Sequence, residues 1–342
     1  MTAIKINSNA NSSYATDEQK KIIQEIIQQI EKYDKIILHR HIAPDYDALG
    51  SVFGLREIIK ERWPDKKVWV AGDASQPFEL VPENDKLDDQ AWQGALAIVC
   101  DSSTVGRTED QRFLRADKVI KIDHHQDFEP FGDISWVETD MTACAELIVM
   151  LYLEGASSHG LKLNAEAAQY LFCGIVTDTN CWNFIAARVA PRVFAYTSLL
   201  IEKGLLDPQL LIRMIKTRTA AQHRFASYVG YTYKQPIPEF IYTMVNAEKL
   251  REYGLSWEEA HGNANSLMGI QGVKIWALFV EKDDSSGVVC EIRSSGPAIN
   301  EIAYKHGGGG HRLACGCLAR DWQHVDQIIT DLQIAASSYQ EE

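Results

Sequence analysis

The chain has 342 residues, 46% of them hydrophobic and 24% charged, a composition that fits ordinary globular folding at a length comfortable for two domains. No apolar run approaches the ~20 residues of a membrane span. The polar stretch from Met1 to Asp17 lacks the features of a signal peptide, which leaves it as a disordered leader and the cytoplasm as the natural compartment. The net charge of −13 disfavours any role that grips long duplex DNA through a basic face, while small or short nucleotides stay open wherever metals and a few Arg or Lys residues neutralise phosphate locally.

In chain order, residues 35–38 form a short apolar run ending in His39-Arg40-His41. Apolar periodicity then predicts a helix over 48–59, closed by Pro64. Residues 67–71, 95–100 and 119–122 are further β-rich runs, and helices are expected around 143–153, 165–177 and 191–203. This repeated β-then-α order predicts an α/β fold with a mostly parallel sheet flanked by helices, whose ligands gather beyond the carboxyl ends of the strands. Gly204 stops that unit, and 210–228 reads as one helical stretch leading to a second, smaller α/β domain. There, strands are expected over 241–245, 273–280 and 288–292, and helices over 248–253, 297–306 and 324–337. The expected division is a leader over 1–17, a catalytic domain over 18–205, a helical linker over 206–228 and a second domain over 229–342. The seven cysteines form no regular framework and read as reduced residues; Cys315 and Cys317 have no partner pair at zinc-site spacing.

The first chemical motif, His41-Ile42-Ala43-Pro44-Asp45-Tyr46-Asp47-Ala48-Leu49-Gly50-Ser51, follows a predicted strand and opens a helix. Asp45 and Asp47 could simply cap that helix. With His41 they could also aim several ligand atoms at one point. Asp101 directly follows the run 95–100, Asp123-His124-His125 follow 119–122, and Asp178 closes the helical stretch after Thr177. A lone aspartate after a strand is more often a turn residue than a ligand. Here, though, Asp47, Asp101 and Asp123 all lie just past strands of one sheet, and so many like charges at one edge need a cation to offset them. Carboxylate and imidazole without thiolate suit Mn(II) or a similar hard-to-borderline ion. Two ions sharing one carboxylate would sit roughly 3.5–4 Å apart.

These motifs resemble those of the DHH phosphoesterase family, named for the tripeptide present here as Asp123-His124-His125. The family pattern H-x-x-P-D-x-D-A-x-G-S is met at every fixed position from His41 to Ser51. The resemblance implies two divalent metal ions, one held by His41, Asp45 and Asp101 and the other by Asp47, Asp101, His124 and Asp178, with Asp101 as the bridge. It also implies catalytic roles for Asp123, which orients the histidines, and for His125, which faces the substrate phosphate as charge stabiliser or proton donor.

Gly307-Gly308-Gly309-Gly310-His311 follows a predicted helix. Such a run lets backbone N–H groups approach an anion, or else serves as a flexible linker; linkers, however, are usually longer and seldom end in His and Arg. The run resembles the G-G-G-H motif of the DHHA-type substrate-binding domain found after the DHH domain in one branch of the family, and Ile292-Arg293-Ser294-Ser295 resembles the strand before it. This implies substrate contacts from Arg293, Ser294, Gly308, Gly309 and His311 across a cleft between the domains. The layout is similar to that of stand-alone NrnA-like members, which implies hydrolysis of short oligonucleotides (nanoRNA, pApA) and of pAp (3′-phosphoadenosine 5′-phosphate) by metal-activated water. A homodimer is the default assembly. Rival readings are a cyclic di-AMP phosphodiesterase, a pyrophosphatase or polyphosphatase, a RecJ-like exonuclease and a non-catalytic nucleotide sensor. Two departures from the family pattern stand out: cysteines at 315 and 317 where Ser or Ala is usual, and Asn180 where Gly is usual. Trp182 could stack on a base or belong to the core.

Overall fold

The computed structural model describes residues 14–73, 80–260 and 262–340. The chain divides into two compact units, Met1–Lys216 and Thr217–Glu342. Most of the expected leader lies outside the described residues. Its last four positions do not: among them, Thr16 caps a first helix, α1 (Asp17–Lys32), through a capping box with Gln19. That helix was not among the predicted elements. Ile23, Ile26, Ile27 and Ile30 form its buried stripe.

The first unit is built on five parallel strands, β1 (Lys35–His39), β2 (Lys67–Val70), β3 (Leu96–Cys100), β4 (Lys118–Asp123) and β5 (Ile134–Val137), in the order β2-β1-β3-β4-β5. β3 is buried along its whole length, as a central parallel strand requires. The two-residue period divides the side chains between two faces. Ile36, Leu38, Leu96, Ile98, Ile120 and Ile122 join the main core with the buried stripes of α2 (Tyr46–Arg62), α3 (Cys144–Ser158), α4 (Ala165–Asp178), α5 (Ala190–Gly204) and α6 (Pro208–Lys216). Ile37, Ala97 and Val99 face two smaller clusters built on Trp92 and Phe113, which irregular segments supply. The long helices thus serve one core, and loops close much of the other face.

Two glycines bring α2 and α4 together. A Cβ on Gly50 would stand 2.4 Å from the Tyr170 carbonyl oxygen, and one on Gly174 would stand 2.9 Å from Asp47 Oδ1. The backbones therefore touch where α2 leaves the His41–Ser51 motif and α4 ends in Asp178.

The single helix expected over 210–228 is two helices, α6 and α7 (Ala220–Tyr231). The Thr219 hydroxyl accepts a hydrogen bond from the Gln222 amide while the Gln222 side-chain oxygen accepts one from the Thr219 amide, and this capping box starts a new helix where apolar periodicity alone ran on. The second unit carries a six-stranded mixed sheet ordered β10-β11-β9-β8-β7-β6. Its strands are β6 (Lys234–Ile237), β7 (Phe240–Val245), β8 (Ile275–Glu281), β9 (Val288–Ser294), β10 (Gly309–His311) and β11 (Ala314–Ala319). Only β7 and β8 pair in parallel. One face packs on α10 (Asn300–Lys305) and α11 (Trp322–Ser338); the other packs on α7, α8 (Ala247–Tyr253) and α9 (Trp257–Ala260).

Candidate metal centre

The carboxyl ends of β1, β3 and β4 deliver His41, Asp101 and His124, and the helices supply Asp45, Asp47 and Asp178. His41 is set by a short bridge to Thr108, with the Ile42 amide donating to Arg107 O and the Glu109 amide to Arg40 O. Its Nδ1 lies 2.8 Å from the Ile42 carbonyl, so that nitrogen carries a proton and donates. Nε2 then faces carboxylates, 3.4 Å from Asp101 Oδ2 and 3.9 Å from Asp45 Oδ1. His124 repeats the arrangement. Its Nδ1 lies 3.2 Å from Met141 O, and its Nε2 sits 3.2 Å from Asp101 Oδ1, 3.4 Å from Asp178 Oδ2 and 3.6 Å from Asp47 Oδ2. Tying one ring nitrogen to a backbone carbonyl and turning the other toward carboxylates is how a protein presents imidazole to a metal.

Backbone amides hold three of the carboxylates, those of Asp45, Asp47 and Asp123. Asp45 does cap α2, accepting from the amides of Asp47 and Ala48 through the same Oδ1 that faces His41. Capping and the approach to His41 are therefore compatible. Asp47 is fully buried, and its two oxygens accept from the Cys144 and Ala145 amides at the start of α3, at 2.6 and 2.9 Å. Asp101 stands in a left-handed backbone, φ 56°, just past β3. Its Oδ1 is buried without a hydrogen bond. Asp123 Oδ1 accepts from the amides of His124 and His125 and from His125 Nδ1, the last at 2.8 Å.

Within the first unit, three overlapping sets of ligand atoms each lie within 4.8 Å of one another: His41, Asp45 and Asp101; Asp47, Asp101 and His124; Asp101, Asp123 and His125. With Asp178 beside His124, the structure gathers all eight residues expected at this centre, and Asp101 belongs to every set. The residues fit divalent cations. Buried oxygen and imidazole donors converge, an Asp101 oxygen lacks a partner, and no cysteine takes part.

The charges point the same way. Burial opposes ionisation of His41, but the hydrogen bond to Asp101 and the charges of Asp45 and Asp101 outweigh it and raise the ring to about 9. Burial likewise opposes charge on His124, and Asp101, Asp178 and Asp47 push it well above its ordinary value. Asp101 is held well below the usual carboxylate range, with His124 and His41 overcoming its burial. Asp47 goes the other way, raised by burial and by the charges of Asp101 and Asp178. Without an ion, protons on two imidazoles offset part of the cluster's negative charge; a divalent cation would displace them.

Residues that carry no motif complete the site. Arg40, almost wholly buried, donates to Ala71 O and pairs with Glu109 at 3.1 Å, which supports the His41 bridge. Lys121 is buried within β4, between Ile120 and Ile122. Asn180 is also explained. Its backbone is left-handed, φ 45°, its amide donates to Thr177 O, and the Cys181 amide donates to Val176 O. This is a Schellman helix end, where Gly is the usual residue and Asn the usual substitute. Trp182 packs partly against the core and stacks on Phe194.

In the second unit, the register aligns His311 with Ala314 on β11 and Ala314 with Arg293 on β9. Residues paired in this way share a face, so Arg293 and His311 flank one small side chain on the same side of the sheet. Gly309, Gly316 and Glu291 form the next row on that face. The glycine run is a helix end followed by an edge strand. A Cβ on Gly308 would meet Gly316 O at 2.1 Å, and Gly310, at φ 129°, would meet Ala314 O at 2.7 Å. Close packing on β11 is one physical reason for these glycines. Ser294 is buried, with its hydroxyl donating to Pro297 O and accepting from the Gly296 amide, so it is occupied in holding the turn after β9.

Residues 35–175 match the family model described as DHH family, N-terminal domain, and residues 238–337 match the DHHA1 domain. A protein of Bacillus subtilis (strain 168), named bifunctional oligoribonuclease and PAP phosphatase NrnA, is 34% identical over 316 residues, covering 92% of this chain and 99% of its own. A Streptococcus mutans protein named probable bifunctional oligoribonuclease and PAP phosphatase NrnA is 33% identical over 308 residues, covering 90% and 97%. The crystal structure of an exopolyphosphatase-related protein from Bacteroides fragilis shares the fold, with a TM-score of 0.78 at 20% identity over 93% of this chain and 98% of that one.

Proposed function

The chain belongs to the DHH family, and from that premise we propose that it is a metal-dependent phosphoesterase hydrolysing short oligoribonucleotides and pAp. The observation that carries the reading is the convergence on Asp101 of buried carboxylates and two imidazoles, each presenting Nε2. Two relatives that align along nearly their whole length carry the names of oligoribonuclease and pAp phosphatase, which supports the choice of substrate.

In this reading His41, Asp45 and Asp101 hold one divalent ion and Asp47, Asp101, His124 and Asp178 hold a second, with Mn(II) suited to the donor set. When bound, the ions supply an acidified water and positive charge beside the phosphate. The chain's own groups do the rest. Asp123 accepts the Nδ1 proton of His125 and so fixes the plane of that ring; in its doubly protonated form the ring carries a second proton, on Nε2, to donate to a phosphoryl oxygen or the leaving group. Arg293 and His311, on one sheet face with only Ala314 between them, are assigned to the substrate's phosphate, and the small residues of the next row leave room for it. Gly308 and Gly309 are assigned to the same contact. No helix among the described residues is long and apolar enough to cross a membrane. A cytoplasmic setting is part of the proposal, and the seven free cysteines support it.

The test is Asp101→Asn with pApA, pAp, oligoribonucleotides of two to ten units, pyrophosphate and cyclic di-AMP as substrates. The expected result is a folded protein that has lost nearly all Mn(II)-dependent release of nucleotide from pApA, at least 1,000-fold. A wild-type enzyme that prefers pyrophosphate or cyclic di-AMP would reassign the substrate. Full activity in the variant would remove the metal assignment.

A further inference from the structure

We infer that Lys121 is a positioning residue of this centre: its buried ammonium links the loop that carries Asp101 to the loop that carries Asp123, and steadies the Asp123 carboxylate that fixes His125. The inference rests on the proposed metal-dependent phosphoesterase.

Lys121 sits inside β4, on the face it shares with Val119 and Asp123. Its register partners are Val99 and Ser135, and an apolar side chain would suit a strand interior better. The side chain is 0% exposed, and burying an ammonium is costly unless its donors are met. They are met by groups that belong to the centre's two loops. Nζ donates to Ser103 O at 2.9 Å and to Asp127 Oδ1 at 2.8 Å, and lies 4.7 Å over the Phe131 ring. Ser103 follows Asp101 by two residues, and Asp127 follows Asp123 by four. One ammonium therefore spans the loops after β3 and β4.

The same Nζ is 3.7 Å from Asp123 Oδ2, an oxygen that is buried and makes no hydrogen bond. The other oxygen is already committed to His124 and His125. Asp123 thus has three N–H groups on one side and the ammonium on the other. Removing the ammonium leaves Oδ2 with no opposite charge beside it and frees the carboxylate to rotate away from His125 Nδ1. It also unties Ser103 from β4, two residues from the strained Asp101 backbone. Lys121 touches no ligand atom of the six proposed metal residues in this account; it acts through Asp123 and through the loop.

The experiment compares full-length wild type with Lys121→Met, which keeps the stem and removes the charge, Lys121→Arg, Asp123→Asn and the Lys121→Met/Asp123→Asn double variant. Mn(II) binding is read by electron paramagnetic resonance without substrate, melting temperature by circular dichroism, and turnover with pApA. Losing a partner that supports metal-site residues costs on the order of 10–100-fold in affinity or activity. Lys121→Met is expected to weaken Mn(II) binding about 10-fold and lower kcat about 10–100-fold, with KM for pApA changed by less than about 3-fold. Lys121→Arg should recover most of the loss. On the Asp123→Asn background, Lys121→Met should add less than about 3-fold, because both changes act on one unit. Wild-type Mn(II) affinity and kcat in a folded Lys121→Met protein, or a full additive loss in the double variant, would overturn the inference. If Lys121→Met does not fold, Asp127→Asn decides: the brace predicts a 3- to 10-fold loss of Mn(II) affinity, on the order of a weakened outer contact, and unchanged affinity overturns it. A wild-type protein that binds Mn(II) but does not cleave pApA would sink the substrate proposal and leave this comparison readable.

Discussion

Replacing Gly50 by alanine probes whether backbone contact between α2 and α4 sets the metal centre. The new Cβ would stand 2.4 Å from the Tyr170 oxygen and 3.1 Å from its carbonyl carbon, whereas ordinary contact begins near 3.4 Å. Both atoms are helix backbone and cannot swing aside, so the helices must part by about 1 Å. Overpacking of this kind costs ~1–3 kcal/mol, offset in part by the ~1 kcal/mol that alanine gains over glycine in a helix interior. The net loss of ~0–2 kcal/mol lowers the melting temperature of a unit of this size by up to roughly 8 °C. The chemical effect is larger. Asp47 lies one helical turn before Gly50, and Asp178 ends α4, so parting the helices separates two carboxylates that both approach His124 Nε2. A displacement near 1 Å costs on the order of 100-fold in turnover. Differential scanning fluorimetry and Mn(II)-dependent cleavage of pApA read the two effects. Gly106→Ala is the control, since its Cβ would meet nothing within 4 Å. A Gly50→Ala protein with wild-type melting temperature and turnover would refute the reasoning.

Other expectations concern the helix end and the protons of the centre. Asn180→Ala should destabilise the protein by ~1–2 kcal/mol, because a side chain with a β-carbon but no local hydrogen bond is disfavoured at φ 45°. Asn180→Gly should be neutral or slightly stabilising; chemical denaturation checks both, and equal stability of the alanine and glycine variants would remove the Schellman assignment. For the chelator-treated protein, His41 is raised from 6.5 to about 9, so its proton stabilises the fold. That contribution is complete below about pH 6.5 and is lost as pH rises through about 9. The urea midpoint should therefore fall across this window, by the equivalent of ~3 kcal/mol at most. Protein carrying His41→Gln should lose the His41 share of the slope, leaving that of His124, and an unchanged slope in that variant would contradict it.

Much of the proposed centre was legible in the sequence because most of its residues follow a strand or open a helix, with Asp178 closing one, and a parallel sheet sends those ends to one edge. What was missed has physical reasons. Thr16 and Gln19 announce α1 by a capping box, and its four isoleucines keep helical spacing, but the box begins inside the polar stretch read as a leader over 1–17, and the polar residues between the isoleucines mask their stripe. The same kind of box at Thr219 divides α6 from α7, and periodicity cannot see a break that preserves phase. β11 reads as small residues because it lies between a glycine edge strand and β9, where close packing leaves no room for the branched residues that mark strands. Lys121 was hidden for the opposite reason. One charge within a strand looks like a solvent-facing position, and only the third dimension shows Phe131, Ser103 and Asp127 closing over it.

The left-handed backbone at Asp101 bears on how such a protein could change over generations. A non-glycine residue in that region costs about 1–3 kcal/mol, and glycine would relieve it without moving a single strand. While the chemistry is under selection the aspartate stays, against its own conformational preference. Once that pressure lifts, glycine becomes the easier residue at position 101. A lineage that had turned this fold to another use would be recognised first by a small residue at that point in the turn.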